Sequence, residues 1–194
     1  MEIDRKKKIV EAATQSFALF GYKATTMEQI AKIANVGKGT IYTFFKNKEE
    51  LFRLIMEDLI REMKIAAEET YEENLSFQEY VHRAIYKMLE YRLEHQLAIK
   101  LFEEGKLGTP EVVEALNFFE DAIINYISHI LDDAIRKGYI VPCNSKITAF
   151  IILKMYIALI FDWERNNPSL SKEEIAELLK IYIFEGLSLK DNGV

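Results

Sequence analysis

The stretch TTMEQIAKIANVGKGTIYTFFKNKEEL, Thr25–Leu51, holds two short apolar periodicities, a tight turn and four lysines set among aromatic residues. Ile30, Ile33 and Ala34 recur at helical spacing, so a helix runs through MEQIAKIA with these three facing inward. Thr25 and Glu28 have the three-residue offset of a capping box that opens such a helix. Asn-Val-Gly is a short turn, because asparagine and glycine tolerate left-handed backbone angles. A second helix is expected over about Lys38–Phe44, with Phe45 facing inward one turn after Ile41. Then KNK leads into a long helix from about Lys48 to Glu72.

Working outward, a helix over about Asp4–Phe20 precedes this stretch. Ile9, Ala13, Phe17 and Phe20 form its stripe, and Gly21 suits the position just past its end. Two short helices joined by a tight turn and braced by a longer one make a helix-turn-helix unit. Such units lay the second helix of the pair in the DNA major groove. Downstream, Ser76 with Glu79 opens a helix to about His95, and a short one covers Gln96 to Glu104. Thr109 caps a long helix that has Pro110 at its first position and reaches about Lys137. After the break KGYIVPCNS, Asn144 or Ser145 opens a helix to about Arg165. After NNPSLS, Ser171 with Glu174 caps a last one to about Leu187. The expectation is an all-α chain of nine helices, without internal repeats.

Nearly half of the 194 residues are apolar, 49%, enough to bury a sizeable core in one or two domains. The net charge of −6 is unevenly spread: residues 1–55 hold ten Lys or Arg against six Asp or Glu, a net +4, which leaves −10 for the rest. A basic segment on an acidic chain suggests a polyanionic partner for that segment. Cys143 is the single cysteine, which excludes an intrachain disulfide and an all-cysteine zinc site. The start MEIDRKKKIVEAATQSF is charged and then amphipathic, unlike a secretory signal. The longest apolar run, Ile147–Phe161, is shorter than a bilayer span and contains Lys154. No membrane partner is expected, and the expected location is cytoplasmic.

The segment ATTMEQIAKIANVGKGTIYTFFKNKEELF closely resembles the DNA-binding region of the TetR/AcrR transcriptional regulators. The resemblance rests on Thr25–Thr26, on Ile30–Ala31, and on Gly39, Tyr42, Phe45, Lys48 and Leu51, spaced as GxxYxxFxxKxxL. It covers about a quarter of the chain. It implies a helix-turn-helix domain over residues 1–47 and an effector-binding and dimerisation domain over 48–194. It further implies a ligand-responsive regulator, more often a repressor than an activator. Two departures stand out: Gly37 replaces a common capping serine, and Thr43 and Phe44 replace residues that are often His or Tyr, so the operator cannot be copied from a relative.

The candidate DNA contacts are Thr26, Lys38, Gly39, Thr40, Tyr42, Thr43, Phe44 and Lys48. Lys38 lies at the positive end of the recognition helix, and Gly39 lets the backbone approach the duplex closely. Thr40 offers a hydroxyl and a methyl group to base edges, and Thr43 and Phe44 bear on which bases are met. Thr26 and Tyr42 offer hydroxyls to phosphates, and Lys48 matches the lysine with which the family holds the DNA backbone. Arg5–Lys8 form a loose basic arm that could reach adjacent DNA.

A helix-turn-helix protein that reads a palindrome does so as a two-fold dimer. Ile147–Phe161 is apolar at thirteen of fifteen positions, too many for a one-faced surface helix. With the last helix it is the expected dimer interface, through Ile151, Met155, Leu178, Tyr182 and Ile183. A small apolar or amphipathic effector is expected among large adaptable side chains: Met63, Tyr91, His95, Phe102, Phe119 and Tyr126, with Lys154 as a holder for an anionic head group.

Rival readings are a di-iron helical-bundle enzyme and a protein-binding helical adaptor. Glu79 and His82 form one Glu-x-x-His, but the second copy that a di-iron site needs is missing. No P-loop, Gly-x-Ser-x-Gly or His-Glu-x-x-His occurs. The expectation is therefore no catalytic residue, no metal and no cofactor, with double-stranded DNA, a small molecule and a second copy of the chain as partners.

Overall fold

The computed structural model describes residues 2–72, 75–94 and 96–185, apart from the side chains of residues 2, 91–94, 96 and 184. The fold is all-α. Nine α-helices are found among the described residues: α1 (Glu2–Phe20), α2 (Met27–Ile33), α3 (Lys38–Phe44), α4 (Lys48–Glu68), α5 (Phe77–Glu94), α6 (Gln96–Lys106), α7 (Pro110–Arg136), α8 (Ser145–Ile157) and α9 (Lys172–Leu179). The helix α8 continues as a wide π-helical turn, Ala158–Asp162, and a tight 3-10 turn, Trp163–Arg165, and α9 continues as a π-helical turn, Lys180–Phe184.

Local chemistry sets the helix ends. Gly21 leaves α1 at φ 83°, and its N–H donates to the Phe17 carbonyl, a backbone shape that costs glycine nothing. Asn35, at φ 54°, turns the chain between α2 and α3. The capping box of α2 is one residue later than the spacing suggests. Thr26, not Thr25, accepts the Gln29 N–H at 3.2 Å, and Gln29 returns its side-chain oxygen to the Thr26 N–H at 2.8 Å. Thr25 is buried, and its hydroxyl donates to the Gly21 carbonyl at 2.7 Å, closing the loop onto the end of α1. Ser76 with Glu79, Asn144, and Ser171 with Glu174 cap their helices as expected.

The chain forms two compact units. The first joins Met1–Glu62 to Arg92–Phe119, and the second joins Met63–Tyr91 to Glu120–Val194. The unit around the helix-turn-helix is therefore larger than residues 1–47, because α1 packs along α6 as well as against α2. Its core holds Ile9, Ala13, Phe17, Ile30, Ile41, Phe45 and Leu51, and Phe17, Tyr22 and Phe52 meet ring to ring at 4.6–5.6 Å. Each such large apolar side chain contributes about 1.5–3 kcal/mol by leaving water. Two expected core positions are surface: Phe20 and Ile33 are exposed, because each sits at the very end of its helix, beyond the reach of the covering neighbours. In the second unit the core is built from Leu131, Ala149, Ile152, Leu153, Ile175 and Leu179. No described helix is long and apolar enough to cross a membrane.

Candidate nucleic-acid interface and effector cavity

In α3 one face is fixed and the other is free. Ile41 is fully buried, with Phe45 buried one turn later at its C-cap. Lys38, Gly39, Tyr42 and Thr43 are exposed on the other side, while Thr40 and Phe44 are half-buried flanks. Gly37 caps the helix in extended geometry, without a side-chain hydrogen bond. A Cβ built on Gly39 would meet nothing within 4 Å, so this surface lies open to a large partner. The Thr43 hydroxyl donates to the Thr40 carbonyl at 2.7 Å. Thr26 stands exposed at the start of α2; its oxygen accepts the capping N–H, and its own O–H can donate outward.

Lys38 pairs with Glu28 at 2.7 Å across the two short helices. Their hydrogen bond holds the Glu28 carboxyl below its ordinary range and the Lys38 ammonium above its own. Both groups are exposed, so the pair is weak and can give way to a phosphate. The basic arm is a correction: Arg5–Lys8 lie within helix α1, where Lys8 pairs with Asp4 at 3.2 Å and Lys6 stands 5.7 Å above the Phe45 ring.

Lys48 is placed differently from a plain surface lysine. Its ammonium donates to the carbonyls of Tyr22 and Thr25, both at 2.9 Å, and lies 4.1 Å from the centre of the Tyr22 ring. Opposite it stands Glu104 of α6, a residue that reading the sequence missed. Its buried carboxylate accepts the N–H groups of Tyr22 and Lys23 at 2.6 and 2.7 Å. The loop between α1 and α2 is thus gripped by an anion on its amides and a cation on its carbonyls. Charge-assisted bonds of this kind are about twice as strong as neutral ones. The ordering matters for Thr26, the residue that directly follows the gripped loop. The Tyr22 phenol donates to Glu49 at 3.2 Å, and burial, then the Glu49 carboxylate, raise it above its ordinary value. One signal for Glu104 was legible: a carboxylate in the last turn of a helix opposes the helix dipole, and so needs a reason to be there.

The second unit holds a half-open cavity of about 150 Å³. Its wall comes from the last turns of α4, from α5, α7 and α8, and from the end of α9, and is hydrocarbon or aromatic almost throughout. Met63 and Tyr126, both expected at an effector site, line it. Phe102 and Phe119 do not; both belong to the other compact unit. Lys154 is also absent from the wall, because its ammonium pairs with Glu120 at 2.5 Å. His95 and the Tyr91 side chain lie outside the described residues. At one edge Lys64 stands 5.5 Å from the centre of the Tyr126 ring. The Tyr126 hydroxyl lies within hydrogen-bonding reach of Tyr80 and Glu68, and burial raises both phenols above their ordinary range.

Among the expected interface residues, Ile151 and Tyr182 are exposed, at 49% and 67%, while Met155 and Leu178 are half-buried. Ile183 is a correction. It is buried within its own chain, because the π-helical turn after α9 directs Tyr182 outward and Ile183 into the core.

Residues 9–55 match the model of the bacterial regulatory proteins of the tetR family, and residues 74–187 match the tetracyclin repressor-like C-terminal domain. The uncharacterized HTH-type transcriptional regulator YhgD of Bacillus subtilis (strain 168) is 57% identical over 189 residues, which cover 97% of this chain and 99% of that one. The fatty acid metabolism regulator protein of the same organism is 29% identical over 134 residues, 69% of each chain. Among solved structures, the fatty acid degradation regulator FadR of Bacillus halodurans superposes with a TM-score of 0.78 at 21% identity, covering 93% of this chain and 98% of its own.

Proposed function

The chain belongs to the TetR family of transcriptional regulators, DNA-binding proteins and not enzymes, and from that premise we propose that it is a dimeric repressor released from a palindromic operator by a small apolar or amphipathic effector. The observation that carries this reading is helix α4. Its first residue, Lys48, grips the loop before α2, and its last turns supply Met63, Lys64 and Ala67 to the cavity wall. A helix of this length is about 30 Å long. An effector that reshapes the cavity wall acts on the last turns of the helix that begins at Lys48, and the two recognition helices of a dimer then no longer match their half-sites. The effector must favour the released conformer, typically by ~1–3 kcal/mol of coupling.

In this reading residues 1–47 are the DNA-binding domain and 48–194 the effector-binding and dimerisation domain, whose first residue, Lys48, also reaches DNA. Lys38, Gly39, Tyr42 and Thr43 enter the major groove, flanked by Thr40 and Phe44, while Thr26 and Lys48 hold the phosphate backbone. What supports dimerisation is the apolar surface left uncovered on α8 and α9: Ile147, Phe150 and Ile151 on the former, Tyr182 just beyond the latter. Ile151, Met155, Leu178 and Tyr182 are the proposed contacts, and the protein works in the cytoplasm, where its operator is. The Bacillus subtilis relative named for fatty acid metabolism makes acyl compounds one effector class to test.

Selecting genomic fragments with the purified protein tests the reading. The expected result is a palindromic fragment bound by a dimer in sedimentation. A folded protein that binds no duplex at low ionic strength, or that stays a monomer at micromolar concentration, would overturn it.

A further inference from the structure

The cavity in the second unit narrows the class of effector, an inference that rests on the ligand-responsive reading above. Its size is the first constraint. An apolar cavity of ~150 Å³ is filled by a molecule the size of benzene, and the cavity here measures about 150 Å³. A long acyl chain exceeds that space, and most of it would run out through the open side into water.

Charge is the second constraint. Among the described residues, Lys64 is the one charged residue in the wall. Its ammonium already faces the Tyr126 ring at 5.5 Å, and Glu68, one turn further along α4, reaches the hydroxyl of the same tyrosine. Both charges meet Tyr126, Lys64 over its ring from within the wall and Glu68 at its hydroxyl from outside the wall. A carboxylate head placed there gains Lys64 but meets Glu68, and an ammonium head gains Glu68 but meets Lys64. Lys154, the other cation that could have received an anionic head, pairs with Glu120 outside the wall. An ionic group carried deeper would lie against hydrocarbon, and a buried unpaired charge costs far more than a neutral hydroxyl that finds one partner.

Polar matching is the third. Tyr156 donates its hydroxyl to the Met88 carbonyl at 3.2 Å. Tyr80 and Tyr126 form the polar corner of the wall, two neutral phenols whose ionisation burial makes less favourable still. A hydroxyl there can both give and accept a hydrogen bond. The flexible thioethers of Met63 and Met88 suit the faces and edges of a ring.

We infer that the effector is an uncharged, single-ring-sized molecule with at most one hydrogen-bonding group, a simple phenol or its like, rather than a carboxylate, an amine or a long acyl chain. Calorimetry with 4-methylphenol, benzoate, benzylammonium and palmitate tests this. The expected result is one 4-methylphenol bound per chain, with the other three at least tenfold weaker. Filling the cavity by Ala84→Trp, or by the milder Val81→Phe, should abolish 4-methylphenol binding, while a cooperative calorimetric melt and the helical circular dichroism of wild type report that the variant folds. Benzoate, benzylammonium or palmitate binding as tightly as 4-methylphenol overturns the inference. So does binding that survives both substitutions, and so does a failure of all four probes to bind. Operator affinity of the ligand-free wild-type protein, measured in parallel, separates the two levels: if it is retained, only the ligand class falls, and if it is lost, the regulator reading falls with it.

Discussion

The loop before α2 and the cavity of the second unit treat their polar groups in opposite ways. Around the loop, Glu104 and Lys48 bind backbone amides and carbonyls at 2.6–2.9 Å, so the position of each group is set by a directional bond. Around the cavity, contacts are between hydrocarbon and aromatic faces, which are non-directional and tolerate repacking. The difference suits the two tasks. A surface that must meet a duplex in one register gains from rigid placement. A wall that must respond to a small molecule gains from having several packings of similar energy.

If the loop is held as rigidly as its hydrogen bonds indicate, Glu104→Ala has the largest effect. It leaves the buried Tyr22 amide and the part-buried Lys23 amide without an acceptor, which costs about 3 kcal/mol. Calorimetric melting should fall by roughly 10 °C, and operator affinity should fall with it. A melting temperature within a degree or so of wild type would make the loop as plastic as the cavity. Lys48→Ala comes next. Binding to every duplex should weaken by about tenfold, and the slope of log affinity against log salt should flatten by about one unit. Weaker binding with an unchanged slope would make the lysine a brace for the loop alone, with no phosphate contact of its own. Glu28→Gln is the smallest. It releases Lys38 from an exposed pair, and operator affinity at low salt should rise by about twofold. The Glu28 carboxyl titrates below its unfolded range, so the pair exists above that range and is lost as pH falls through the lowered value. The difference between variant and wild type should therefore vanish in acid, and one that persists there would assign the effect to something other than the pair.

The two regions also differed in how far their sequences could be read. The recognition helix was legible at about Lys38–Phe44, because the Asn-Val-Gly turn marks its start, and the structure ends it where Phe45 turns extended. The cap of α2 was misplaced by one residue. Two adjacent threonines offer the same side chain, and only the fold decides which one is drawn inward to Gly21. Glu104 could not be found by local spacing, since the amides that it holds lie 81 and 82 positions away. Gly21 shows the same limit. Its place at a helix end was legible, but not that a Cβ there would come within 2.6 Å of the Glu104 carboxylate. In the second unit, large side chains announce a pocket without saying which of them border it. Met63 and Tyr126 border it, whereas Phe102 and Phe119 fill space elsewhere, a distinction set by which compact unit each side chain belongs to and not by residue type. Lys154 looked available because its partner, Glu120, lies 34 positions away on another helix.

The open face of α3 carries the whole account, and Gly39 is where it can be tested alone. Nothing of the protein lies near that position, so Gly39→Trp leaves the fold intact while placing a large ring where the groove must approach. Titrated by fluorescence anisotropy against the selected operator, the variant should bind at least a hundredfold more weakly than wild type, with an unchanged melting temperature. Equal affinity in the two proteins would mean that this face never meets DNA.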